Sequence, residues 1–313
     1  MRILFMGTPD FALFSLKALV ESGEDVIGVV TQPDKPKGRG YALMPPPVKV
    51  YATEQNLPVY QPATLKGEDF AALLSELDPE LIIVVAFGKI LPKNVLDYPK
   101  YGCINVHGSL LPAYRGAAPM QRAIIDGCKT TGITTMYMDV GLDTGDMLLK
   151  DEVEIDENDN FEDMHDRLGA AGAKTLLRTI AALKEGTLVA EAQDASFATY
   201  AAKIEKEDCL LNFSDNASSL HNRIRGLSPI PLAFTHTPDG KLLKVLASRR
   251  SNVVCPSDAQ PGMVISLDGG VITVACGGGT SLDLLRVLPE GKGRMDAADF
   301  IRGRKIGVGD LLS

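Results

Sequence analysis

The residues best suited to chemistry in this chain are Asn105 and His107, two positions apart in the run Cys103-Ile104-Asn105-Val106-His107-Gly108-Ser109. Residues two apart on a strand point to the same face, so an amide donor and a titratable ring would reach one place. The amide can donate to the oxyanion of a tetrahedral intermediate, and the imidazole can move protons. Carboxylates able to join them stand in the turn-rich segment 139–146, as Asp139, Asp143 and Asp146. One of these would orient the imidazole and stabilise its protonated form. Such a set suits acyl transfer to an amine. No Ser or Cys occupies a strand-turn-helix elbow, so direct attack by the acceptor amine is simpler than a covalent intermediate, and Ser109 reads as a binding residue. The competing reading makes Asn-x-His a capped loop at a strand end, and His165, His221 and His236 receive only that structural reading.

These residues need a frame. Short aliphatic runs at 2–6 and 25–31 flank an amphipathic stretch at 11–22, the pattern of a βαβ unit. Helices are expected at 48–55, after Pro47, and near 69–77. The run Leu81-Ile82-Ile83-Val84-Val85-Ala86 has the continuous hydrophobicity of a strand buried on both faces. Strands at 103–106 and 132–137 follow. This alternation predicts an α/β fold with an open, mostly parallel, Rossmann-like sheet, whose ligands sit beyond the carboxyl ends of the strands. Asn105 and His107 fall at such an end. Gly7-Thr8-Pro9 lacks the Gly-x-Gly-x-x-Gly spacing, and Pro9 has no amide to offer a phosphate, which excludes a dinucleotide cofactor.

A longer helix is expected from Asn160, an amide cap with Asp163 three residues on, to Gly186. Residues 187–206 carry no period and read as a linker. A short helix through Leu220, Ile224 and Leu227 stops before Pro229, and strands are expected at 242–247, 262–267, 271–275 and 281–287. The expected division is a catalytic domain over 1–186, a linker over 187–206, and a smaller β-barrel domain of oligonucleotide-binding (OB) type over 207–313. The Pro- and Gly-rich connection 32–47 is long enough to be a working loop.

Composition narrows the class. No apolar run is long enough to cross a bilayer, no secretion signal is visible, and five dispersed cysteines form no Cys-x-x-Cys pair, so a cytoplasmic protein without disulfides or a metal site is expected. The net charge of −8 is unevenly spread: residues 207–313 hold 12 Lys+Arg against 11 Asp+Glu, so basic patches for nucleic acid remain available there.

At Asn105-Val106-His107-Gly108-Ser109-Leu110-Leu111-Pro112 the sequence resembles the folate-dependent formyltransferases, and Asp143 matches that family's third catalytic residue. Gly7-Thr8-Pro9-Asp10-Phe11, Gln32-Pro33-Asp34, Gly38-Arg39-Gly40 and Arg115-Gly116-Ala117-Ala118-Pro119 extend the resemblance to the branch acting on methionyl-tRNA. The resemblance implies catalytic Asn105, His107 and Asp143, and 10-formyltetrahydrofolate as donor near Ser109, Leu110, Leu111, Pro112, Phe87 and Gly88. It implies methionyl initiator tRNA as acceptor, contacted by Lys35, Lys37 and Arg39, with no metal. A sugar-nucleotide amine as acceptor, hydrolysis of formyl-folate, and a non-catalytic RNA-binding module are the competing readings. The loop 32–47 favours the tRNA substrate over the first two, and the completeness of the site weighs against the third.

Overall fold

The computed structural model describes residues 1–37, 42–303 and 305–313. Its strands begin with β1 (Ile3–Gly7), β2 (Val26–Val30), β3 (Lys35–Lys37), β4 (Ala42–Met44) and β5 (Val59–Tyr60). They continue with β6 (Leu81–Val85), β7 (Cys103–His107), β8 (Arg115–Gly116), β9 (Thr130–Tyr137) and β10 (Met147–Glu154). The helices here are α1 (Asp10–Glu21), α2 (Pro47–Glu54), α3 (Glu68–Leu77), α4 (Lys93–Leu96), α5 (Pro119–Ile125) and α6 (Phe161–Glu185).

The aliphatic runs become one seven-stranded sheet in the order β10-β9-β7-β6-β1-β2-β5. The four ladders from β7 to β5 are parallel; β9 is antiparallel to β7, and β10 to β9. All five residues of β1 and of β6 are buried, as their unbroken apolar sequences require. The chain leaves β1 toward β2 and β5, then returns on the other side through β6 and β7. Strand order therefore reverses between β1 and β6, and a crevice opens outside their carboxyl ends. Strand β10 was not expected from the sequence, because as an edge strand it carries Lys150, Asp151, Glu152 and Glu154 and has no continuous apolar run.

Contacts divide the chain into two compact units, the first formed by 1–116, 130–154 and 165–200. The second takes 117–129, 155–164 and 201–313, so it recruits two segments that lie within the expected 1–186 division. The reason is local: Ile125 packs against the second unit's core, and the buried Arg225 donates to the carbonyls of Asp156 (3.2 Å) and Asp159 (2.9 Å). Asn160 caps its helix as expected, accepting from the amides of Glu162 and Asp163, while Asp163 accepts from the amide of Asn160.

Beyond β11 (Tyr200–Ala201), the second unit contains α7 (Ala217–Gly226), β12 (Ala233–His236), β13 (Leu242–Arg250) and β14 (Val264–Ser266). It ends with β15 (Ile272–Cys276), β16 (Thr280–Pro289), β17 (Met295–Asp296) and α8 (Ala297–Arg302). The sheet is antiparallel, in the order β12-β13-β16-β15-β14, with β17 on β16. Residues 309–313 tie its two ends. Val264 N donates to Asp310 O (2.8 Å) and Leu312 N to Gly262 O (2.9 Å), while His236 N donates to Ser313 O (2.7 Å). The antiparallel domain is as expected, although these pairings do not by themselves define an OB-type barrel.

Candidate active site

Strand β7 delivers two of the expected residues to the sheet's carboxyl edge. Asn105 sits between Val84 of β6 and Met136 of β9, and His107 opposite Thr134 of β9. The Asn105 amide is half-buried and meets no hydrogen-bond partner among the described residues. His107 is 6% exposed, with Nε2 3.0 Å from the carbonyl oxygen of Tyr114. A carbonyl can only accept, so Nε2 carries a proton and Nδ1 is the basic nitrogen of the neutral ring. Nδ1 lies 3.7 Å from Oδ2 of Asp143.

Of the three candidate aspartates, Asp143 is the one brought to the imidazole. Asp139 and Asp146 are exposed, and the Asp139 carboxylate accepts from the amide of Val140. Asp143 has φ of 52°, in the left-handed region that costs a residue other than glycine about 1 kcal/mol or more. Three bonds offset that strain. Gly116 N donates to Oδ2 of Asp143 (2.7 Å), and the side-chain amide of Gln193 donates to the carbonyls of Asp143 (2.8 Å) and Gly145 (2.7 Å).

The expected folate residues divide by burial. Ser109 is fully buried, and its hydroxyl donates to Ala113 O (2.6 Å), so it shapes the turn. The buried Thr134 hydroxyl donates to Ser109 O (2.8 Å) and accepts from Leu111 N (3.0 Å), fixing the segment to β9. Leu111 packs with Met136 and Met147, leaving Leu110 and Pro112 half-buried. The ring of Phe87 is 2% exposed in the core with Leu4, Met6 and Val84. Only its backbone serves the crevice, and there its carbonyl already accepts from Thr8 and from Gln32. Ala86 and Gly88 are exposed beside it, both at positive φ.

Lys35 is exposed at the start of a two-stranded ribbon in which Lys35 pairs with Met44 and Lys37 with Ala42. Arg39 lies outside the described residues. The ribbon's root is anchored by Lys49, whose ammonium donates to both oxygens of Asp34 (2.8 and 2.9 Å) and to Gln61 (2.8 Å). Hydrogen bonds from Gln61 and then Lys49 hold the Asp34 carboxyl below its ordinary pKa.

Sequence reasoning missed Tyr114, Arg115, Gly116, Thr134 and Gln193 as supports of this site. Only Arg115-Gly116 stood within a quoted motif; Gln193 lies in a stretch with no periodic signal.

The formyl transferase model matches residues 1–180, and the formyl transferase C-terminal domain matches 203–305. The chain belongs to the formyl transferase family and is a formyl-transferring enzyme. Two relatives are 48% identical. The methionyl-tRNA formyltransferase of Geotalea daltonii aligns over 100% of this chain and 98% of its own length, and that of Bacillus subtilis over 99% and 97%. Among solved structures, the sugar 3N-formyl transferase WlaRD, determined with dTDP and 5-N-formyl-THF, is 18% identical at a TM-score of 0.65, covering 94% of this chain and 99% of that one. HypX from Aquifex aeolicus, in complex with tetrahydrofolic acid, is 15% identical at a TM-score of 0.65. The alignment covers 98% of this chain but 48% of HypX, and at such identities both structures speak for the fold alone. No helix among the described residues is long and apolar enough to cross a membrane.

Proposed function

We propose that this enzyme transfers the formyl group of 10-formyltetrahydrofolate to the α-amino group of methionyl initiator tRNA, giving N-formylmethionyl-tRNA and tetrahydrofolate. The observation that carries this reading is end-to-end similarity, at 48% identity, to methionyl-tRNA formyltransferases. Such an activity belongs in the cytoplasm, with translation initiation.

In this reading the acceptor nitrogen attacks the formyl carbon, and Asn105 donates its side-chain N–H to the oxyanion that forms. His107 takes the proton of the attacking nitrogen at Nδ1, the position left basic by the Tyr114 carbonyl. Asp143 then faces an imidazolium, which its carboxylate stabilises. The same proton passes to the folate nitrogen as its bond to the formyl carbon breaks, so atoms and charge balance without a covalent enzyme intermediate. Leu110, Pro112 and the exposed backbone at Ala86 and Gly88 offer a mixed apolar and polar wall to the folate. Lys35, Lys37 and Arg39 would neutralise phosphates near the acceptor end, with the near-neutral C-terminal unit as a second contact surface.

The test is transfer of labelled formyl from 10-formyltetrahydrofolate to methionyl initiator tRNA, beside uncharged tRNA and a sugar-nucleotide amine. Label on methionyl-tRNA alone, declining as salt rises, is the expected outcome. Label on the sugar amine, or released formate, would reassign the acceptor.

A further inference from the structure

Asp143 can serve the site only if its loop is held; Tyr137 N holds the loop's end at Asp146 O (2.9 Å), and one side chain holds the carbonyls around Asp143 itself. Nε2 of Gln193 donates to the carbonyls of Asp143 (2.8 Å) and Gly145 (2.7 Å), two positions apart. At Gly145 a Cβ would run into the carbonyl oxygen of Tyr137, so the loop backbone packs closely against the end of β9 there. The orientation of the Gln193 amide follows from its other end. Oε1 accepts from Nε (3.0 Å) and Nη2 (2.7 Å) of Arg115, and a guanidinium can only donate. The oxygen must therefore face Arg115, and the NH2 must face the loop.

Arg115 is 5% exposed and lies between the two residues that touch the other site groups. Tyr114 offers its carbonyl to His107, and Gly116 offers its amide to Asp143. The segment carrying Gln193 is itself fixed, by paired bonds between Glu191 and Met147 (2.8 and 2.9 Å) and by Thr199. That residue accepts from the amides of Tyr114 (2.8 Å) and Arg115 (2.9 Å). Gln193 falls between the two stretches matched by the family models, 1–180 and 203–305.

We propose that Gln193, oriented by Arg115, is a positioning residue that sets the Asp143 carboxylate against His107. The inference rests on the catalytic reading of Asp143 given above. It assigns the aperiodic segment 187–200 a role in the reaction beyond connecting elements.

The experiment compares Gln193→Ala, Gln193→Glu, Asp143→Asn and the double variant Asp143→Asn/Gln193→Ala as full chains, reading kcat, KM for each substrate, the pH profile of kcat and thermal melting. Gln193→Glu preserves the partner of Arg115 but loses both donors, and it carries the test should Gln193→Ala not fold. Both Gln193 variants are expected to lose about 10- to 100-fold in kcat with KM changed less than about 3-fold, and to move the pH profile of kcat. Acting through Asp143, the Gln193 change adds little to Asp143→Asn in the double variant. Full activity of Asp143→Asn would sink the catalytic reading itself. If Asp143→Asn is impaired while the Gln193 variants turn over normally, or if the two losses multiply, the positioning role is overturned and the catalytic reading stands. A lowered melting temperature with kcat and its pH profile unmoved would likewise overturn it.

Discussion

His107 owes its usable nitrogen to a backbone carbonyl. Because Tyr114 O occupies Nε2 at 3.0 Å, the lone pair of the neutral ring is directed to the side where Asp143 stands. The side-chain amide of Asn105 differs from its neighbours in having no hydrogen-bond partner among the described residues, which suits a group reserved for an oxyanion. Asn105→Ala is therefore expected to reduce kcat by about 10²- to 10³-fold. Its melting temperature should stay within a degree or two of the parent; an unaltered kcat would remove Asn105 from the mechanism. These two residues were legible because strand periodicity alone puts them on one face. From residue types alone Asp143 was one of three, and only the family resemblance singled it out, since what separates it from Asp139 and Asp146 is a left-handed φ and a bond from Gly116, neither written locally. Ser109 and Phe87 were legible as neighbours of the site, but burial turns the hydroxyl of one into a turn brace and the ring of the other into core.

At the scale of elements, the parallel strands could be read directly, because a strand buried on both faces leaves an unbroken aliphatic run. Edge strand β10 and the β3–β4 ribbon could not, since solvent on one side permits charge and proline. The segment 187–200 was opaque for a different reason: polar bonds to distant carbonyls hold it, and such bonds impose no period. The ribbon's root rests on Lys49 of α2, which joins Asp34, just before β3, to Gln61, just after β5. In the proposed reading Lys35 and Lys37 meet the RNA and not the folate, so Lys49→Met should leave KM for the folate unchanged and raise KM for methionyl-tRNA several-fold. Separate saturation curves for the two substrates decide this; a matched rise in both would place the effect elsewhere. Thr134→Val tests the opposite edge. It orphans Ser109 O and Leu111 N in a buried setting, an expected loss of about 1–3 kcal/mol in denaturant unfolding.

At the scale of the whole molecule, the second unit has a hydrophobic core of its own, and that unit carries a titration. His221 is 5% exposed, bonded through Nδ1 to the Ser248 hydroxyl (3.1 Å) and through Nε2 to Glu157 O (3.1 Å). Burial pulls its pKa below the ordinary 6.5, against the opposing hydrogen bond to Glu157, with nearby Arg225 lowering it further. The folded state thus binds this proton less readily than the unfolded chain. Linkage then gives the sign: stability is fully present above pH 6.5 and is lost as pH falls from there toward the depressed folded value. The slope from this one group cannot exceed about 1.4 kcal/mol per pH unit. Carboxylates protonating lower on the scale would add their own losses, so the diagnostic is a difference between proteins. His221→Gln removes the titration while keeping a polar side chain. Across urea melts at pH 7.5, 6.5 and 5.5, the stability gap between parent and variant should stay nearly level from 7.5 to 6.5 and narrow clearly between 6.5 and 5.5. A gap constant over that range would mean that His221 enters folding as a packing and hydrogen-bonding residue only, and that the acid sensitivity of this unit arises from other groups.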